Sequence, residues 1–88
     1  MYRLEFTAAA QRDLAKLDPV LAQRVLKKLR WLGEHFEQIV PEPLGQELKG
    51  AYKLRIGPYR AIYRVAHRQR KITVHLIGHR SEIYKLRE

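Results

Sequence analysis

The sequence has no cysteine. Without disulfides or a thiolate, it must fold on a hydrophobic core alone, and it is expected in a reducing compartment, the cytoplasm. No apolar run approaches the ~20 residues a membrane-spanning helix needs, and Met1 to Phe6 alternates in polarity instead of forming the apolar stretch of a signal peptide. Serine occurs once, at Ser81, where a basic tail makes a helix cap a better reading than a nucleophile. Gly45, Gly50 and Gly57 lack the spacing of a phosphate-cradling loop. The four histidines, His35, His67, His75 and His79, share no metal-ligand spacing. His75 and His79 would stand roughly 13 Å apart along a strand, too far for one zinc ion. Neither a metal nor a cofactor is expected.

Acidic residues are scarce in one half only. The 88 residues carry 18 Lys and Arg against 9 Asp and Glu, a net charge of +9. Residues 1–48 hold seven of each sign, whereas residues 49–88 hold eleven basic side chains and only Glu82 and Glu88 in opposition. A whole excess concentrated in one half points to a face for a polyanion, RNA in particular.

The chain is long enough for one domain, residues 1–88, with any site in a surface groove. Tyr2, Leu4 and Phe6 alternate with Arg3 and Glu5 as in a half-buried strand. Thr7 can cap a helix running to about Leu17, with Ala10, Leu14 and Leu17 on one stripe. Asp18-Pro19 starts a second helix, whose apolar face is Leu21, Val25, Leu29, Leu32 and Phe36. Leu26 and Trp31 fall off that stripe and are candidate contacts for a partner. Pro41, Pro43, Gly45 and Gly50 make residues 38–50 a loop. Three strands follow. Gly57-Pro58 suits a type II′ hairpin turn, which pairs Ile56 with Tyr59, Leu54 with Ala61 and Tyr52 with Tyr63 on the apolar face. The third strand alternates Ile72, Val74 and Leu76 with Thr73, His75, Ile77 and His79. The expected fold class is α+β, ordered β-α-α-β-β-β, an antiparallel sheet with the N-terminal helical hairpin packed on one face.

The same register sets Arg55 directly across from Arg60, beside Lys53, with no acid in residues 49–81. Like charges in direct opposition destabilise a sheet by up to about 1 kcal/mol, so their retention suggests a phosphate cradle. On this reading an open sheet face presents Lys53, Arg55, Arg60 and His79, with Arg80 and Tyr84 from the tail. Lys49 and Arg64 extend the surface for RNA binding. Cations interleaved with an aromatic make a platform for single-stranded RNA.

Two stretches carry a family resemblance. Leu48-Lys49-Gly50-Ala51-Tyr52-Lys53-Leu54-Arg55-Ile56-Gly57-Pro58-Tyr59-Arg60-Ala61-Ile62-Tyr63 resembles the central motif of the RelE toxins, and Gly78-His79-Arg80-Ser81-Glu82-Ile83-Tyr84 resembles their C-terminal motif. The likeness spans essentially the whole chain. It implies a RelE-like fold and a ribosome-dependent endoribonuclease that cuts messenger RNA in the A site and is restrained by a cognate antitoxin. It also implies that Lys53, Arg55, Arg60 and Arg80 line the active site and that Tyr84 stacks on the substrate base. Arg55 stands where the best-known relatives carry a second lysine, and His79 where some carry lysine.

Metal-free cleavage of RNA uses the 2′-OH against the adjacent phosphate and needs a base, cations for the growing charge, and an acid for the leaving 5′-oxygen. Arginine stays protonated at neutral pH. The base or acid role therefore falls to Lys53, which has cationic neighbours, or to His79, a residue type that titrates near 6.5. Such a site would be feeble unless the ribosome positioned the message. Two other classes remain open from the residues: a ParE-like toxin that binds DNA gyrase without nuclease activity, and a basic RNA-binding module without catalysis. The expected partners are the antitoxin, ribosomal RNA and messenger RNA, with no membrane.

Overall fold

A computed structural model describes residues 1–45 and 49–84 of the chain; Leu48 of the central motif lies outside the described residues. Strand β1 (Arg3–Phe6) leads into helices α1 (Ala8–Ala15) and α2 (Pro19–His35), then a 3-10 turn over Phe36–Gln38. A two-residue strand β2 (Glu42–Pro43) precedes β3 (Ala51–Ile56), β4 (Tyr59–Ala66), β5 (Lys71–His79) and a single-turn helix α3 (Arg80–Ile83). The five strands form one sheet in the order β1-β5-β4-β3-β2. No helix among the described residues is long and apolar enough to cross a membrane.

Local signals set the helix ends. The Thr7 hydroxyl accepts from the Ala10 N–H at 3.1 Å, and the Asp18 carboxylate accepts from the Leu21 N–H at 3.4 Å with Pro19 at the first helical position. Both are N-caps that satisfy a donor left over at the helix start. The helices pack one apolar stripe on the sheet. Ala10, Val25, Leu29, Leu32 and Phe36 are buried against Ile56, Ala61, Tyr63, Ile72, Val74 and Ile77. Gly33 lets β1 approach α2 closely: its carbonyl accepts from the Tyr2 N–H at 2.8 Å, and a Cβ at this position would stand 2.7 Å from the Tyr2 carbonyl oxygen.

The β3–β4 hairpin has the expected register, including Arg55 opposite Arg60 and Lys53 opposite Ile62. Gly57 takes a positive φ of 57°, as the first central residue of a type II′ turn requires. Three features differ from the sequence reading. The sheet is mixed, because β1 runs parallel to β5; alternation marks a strand's faces but carries no information about its direction. The expected loop 38–50 contains β2, antiparallel to β3 with Glu42 opposite Lys53. A proline cannot donate to a ladder, so a strand ending in Pro43 belongs at the sheet edge, where β2 sits.

The third difference is a bulge. Ile62 pairs with Leu76 but Tyr63 pairs with Val74, so β5 carries an extra residue at His75. Alternation flips there. Ile77 enters the core, and Leu76 turns to the outer face where the sequence pattern placed it inside. Helix α1 holds the bulge in place. The Asp13 carboxylate accepts from the Ile77 N–H at 2.9 Å, and the Thr7 hydroxyl donates to the His75 carbonyl at 3.2 Å. β1 ends opposite Val74, so these side chains continue the bonding along β5 that β1 no longer supplies.

Candidate functional site

The sheet face away from the helices gathers most of the predicted site residues. Alternation along β3 points Lys53 and Arg55 outward, and they meet a carboxylate there. Arg55 donates from Nε and Nη2 to the two oxygens of Glu42 at 3.0 and 2.7 Å, a bidentate pair. Lys53 Nζ lies 3.5 Å from the same carboxylate. The Arg55 guanidinium first, with Lys53 adding to it, lowers the Glu42 pKa to about 2, so this side chain is an anion at neutral pH. Glu42 in turn raises the pKa of Arg55. The arginine pair therefore faces no unrelieved repulsion, contrary to the sequence reading, and the site does contain an acid. Glu42 is the member of this charged cluster that the sequence reading missed. The prolines flanking it were the available signal, since a residue before proline favours extended backbone, here that of an edge strand beside the cations.

Tyr84 is carried to this face by α3, and its ring centroid lies 5.5 Å from Lys53 Nζ, within cation–π range. Beside it, Leu44, Ala51, Ile62, Leu76, Ile83 and Tyr84 wall a hollow of about 180 Å³ to which Arg64 and His75 add the polar groups. The face is therefore not a continuous polar platform, because Ile83, itself buried, packs over Gly78 and joins these apolar walls. Arg64 donates to the Lys49 carbonyl at 3.2 Å, bracing the start of β3; the Lys49 side chain is exposed. Burial first, and Arg64 second, lower the pKa of His75.

Two predicted site residues do not offer their polar groups to this face: Arg60 starts on it, opposite Arg55, but is withdrawn into its own turn, and His79 is on the other side. Arg60 is only 7% exposed, and its Nη1 donates to the Gly57 and Tyr59 carbonyls at 2.8 Å each. Its guanidinium closes its own hairpin turn. The bulge also moves His79: it pairs with Tyr59 and stands edge-on to that ring at 5.4 Å, on the side opposite Lys53. His79 is the N-cap of α3, accepting from the Ser81 N–H at Nδ1. Ser81, expected as the cap, instead bonds the same nitrogen through its hydroxyl at 2.8 Å. Arg80 is exposed, and its backbone N–H donates to the Pro58 carbonyl at 2.8 Å, tying α3 to the hairpin. Among the described residues, no three His, Asp or Glu side chains gather as a metal site would require.

Known proteins share this fold. The family described as ParE toxin of type II toxin-antitoxin system, parDE, matches residues 4–84. Toxin RelG of Mycobacterium tuberculosis is 32% identical over 84 residues, 96% of this chain and 97% of that protein. The chain belongs to the RelE/ParE superfamily of type II toxins, on its RelE side. Its fold matches that of the toxin–antitoxin complex RelBE2 from M. tuberculosis with a TM-score of 0.80 and 32% identity, over 89% of this chain and 96% of that one. The isolated E. coli RelE toxin matches with a TM-score of 0.75 and 26% identity, over 97% of this chain and 93% of that one. The RelE-like expectation for the fold is thus met.

Proposed function

We propose that this RelE-family toxin is a ribosome-dependent endoribonuclease that cleaves messenger RNA in the A site and so stops translation in the cytoplasm. The observation that carries the reading is the convergence of Lys53, Arg55 and Tyr84 on one sheet face, in a chain whose family is that of the RelE toxins. Tyr84 offers a ring on which an unpaired base stacks. Arg55 and Lys53 receive the neighbouring phosphate, which replaces Glu42 as their anion. The 2′-OH attacks the phosphorus, and the bond to the 5′-oxygen breaks. The products are a 2′,3′-cyclic phosphate and a 5′-hydroxyl. Arginine holds its proton at neutral pH and stabilises the extra charge, whereas a lysine amine can also transfer protons. Lys53 is therefore the proton-handling group of this face. His79 faces away and serves the α3 cap. Arg80, exposed at the same strand end, adds a further cation.

Until substrate arrives, Glu42 occupies both cations. A site that must displace its own anion, and that has one proton-handling side chain, gains most from a substrate already held in place. That supports dependence on the ribosome. A cognate antitoxin is the second partner, as in the RelBE complexes. The half-buried groove of Leu4, Phe6, Leu14 and Leu26 and the partly exposed Trp31 offer it apolar contacts.

The deciding experiment incubates the purified toxin with ribosomes halted on a defined message and maps the new 5′ ends. Codon-phased cuts on ribosome-bound message, absent from the naked transcript, are the expected result. Inhibition of gyrase supercoiling without any cut would replace this reading with the ParE-like one. RNA binding with neither effect would leave a non-catalytic module.

A further inference from the structure

Asp13 is the one acid of α1, and in a chain of net charge +9 it joins none of the ion pairs among the described residues. Its carboxylate is half-buried and accepts the Ile77 N–H at 2.9 Å, two residues past the bulge at His75. A hydrogen bond to an ionised acceptor is among the stronger kinds. Apolar burial does not choose the register that this bond holds. Leu76 and Ile77 are adjacent isomers, and exchanging one for the other in a core costs little. A regular β5 would bury Leu76; the bulged strand buries Ile77, which is 4% exposed. The choice matters beyond the core, because a shift of one residue turns every later side chain to the other face. Past the bulge, Gly78 pairs with Arg60 and His79 with Tyr59. Gly78 then lies beneath Ile83, whose side chain would stand 3.7 Å from a Cβ placed there. His79 caps α3 through Nδ1, and the Arg80 N–H anchors the start of α3 on the Pro58 carbonyl. Tyr84 follows Ile83 directly, with its ring 5.5 Å from Lys53 Nζ.

We propose that Asp13 is a positioning residue for the Lys53–Tyr84 site: from α1 it selects the β5 register that seats α3 and so presents the Tyr84 ring beside Lys53. It touches neither Tyr84 nor Lys53 and acts through the strand. In the regular register Gly78 turns to the helix side, Ile83 loses its seat, and the His79 side chain that caps α3 points the other way. α3 then leaves the strand in a new direction and takes Tyr84 with it. The Thr7 hydroxyl, which donates to the His75 carbonyl at 3.2 Å, holds the bulge itself, whereas Asp13 holds the residues after it. The inference rests on the reading of Tyr84 as the ring that receives a base, and it adds a residue from the far end of the chain to that site.

The test reads the place of Tyr84 by NMR in the full-length toxin, with its ring resonances assigned through Tyr84→Phe. Asp13→Ala is compared with Asp13→Asn, which keeps an acceptor oxygen for the Ile77 N–H, and with Leu14→Ala, which trims the next residue of α1 where it packs on the core. Asp13→Ala is expected to shift the Tyr84 ring and the Gly78 and His79 amides, and Asp13→Asn to return them close to wild type. Leu14→Ala should lower the melting temperature and leave those resonances in place. Unmoved Tyr84 resonances in Asp13→Ala, or equal shifts in Leu14→Ala, would overturn the proposal, because Asp13 would then serve stability alone. Single-turnover cleavage on programmed ribosomes gives a second readout. Asp13→Ala should lose at least fivefold, and Asp13→Ala/Tyr84→Ala should lose no more than Tyr84→Ala, since residues that act through one group are not additive. Losses that multiply would also overturn it. A wild-type toxin that cuts no message would fail the enzymatic reading, while the resonances would still decide whether Asp13 positions Tyr84.

Discussion

Replacing Arg60 with alanine separates a structural cation from a catalytic one. In the folded chain the guanidinium is buried and donates twice, to the carbonyls of Gly57 and Tyr59 at 2.8 Å each. A hydrogen bond from a charged group is worth about 1.5–3 kcal/mol. The turn is exposed at Gly57 and Pro58, so the Gly57 carbonyl recovers water in the variant, and the pair together falls nearer the lower figure. Burial of the side chain's methylenes adds about 0.8 kcal/mol for each CH₂ fully withdrawn from water. Relief of the Arg55–Arg60 opposition returns little, since Arg55 is already neutralised by Glu42. The net loss is about 2–3 kcal/mol, which for a domain of this size lowers the melting temperature by roughly 10–20 °C. Thermal unfolding followed by circular dichroism measures it, and Arg60→Met, which keeps the stem but not the donors, should recover only part of the loss. A melting temperature within about 3 °C of wild type would refute the reasoning and return Arg60 to the open face as a group available to substrate. With the large drop, lost toxicity in Arg60→Ala reports misfolding and says nothing of catalysis.

Glu42→Gln removes the anion between Lys53 and Arg55. The folded pKa of Glu42, about 2, lies below its ordinary 4.5, so the unfolded chain binds more protons in that window and stability rises with pH. The wild type should therefore melt above the variant at neutral pH, and the gap should close as pH falls from 4.5 toward 2; a gap independent of pH would show the ion pair to be energetically idle. Tyr84→Phe should keep most cleavage on the ribosome while Tyr84→Ala loses about 5- to 150-fold, the range of one base-stacking contact; equal losses would assign the chemistry to the hydroxyl. Gly33→Ala should lower the melting temperature although alanine gains about 1 kcal/mol of helix propensity, because the new Cβ meets the Tyr2 carbonyl oxygen at 2.7 Å. A rise in melting temperature would mean that β1 shifts away at no cost.

What the sequence determined by itself is everything set by neighbours along the chain. Thr7 and Asp18-Pro19 start the helices through bonds spanning three residues. Ala10 on α1, and Val25, Leu29 and Leu32 on α2, enter the core because each helix's apolar residues are spaced to share one of its faces. A two-residue turn leaves the β3–β4 hairpin one register, so Lys53 and Arg55 could be placed on a shared face from the residues alone. The tertiary structure decided what depends on groups far apart in the chain. Asp13 reaches across 64 positions to the Ile77 N–H, and the bulge it helps hold reverses the sides of Leu76, Ile77 and His79. Nothing within β5 announces this, because the alternation there is consistent with a regular strand. Glu42 lies 13 positions from Arg55, inside a segment whose prolines read equally as loop or as sheet edge until β3 is present to pair with it. The opposition of Arg55 and Arg60 was legible, but its resolution was not: one guanidinium turns to a carboxylate on the next strand and the other turns inward to its own hairpin. The sequence supplies the charges, and the approach of distant backbone decides which of them remain for a substrate.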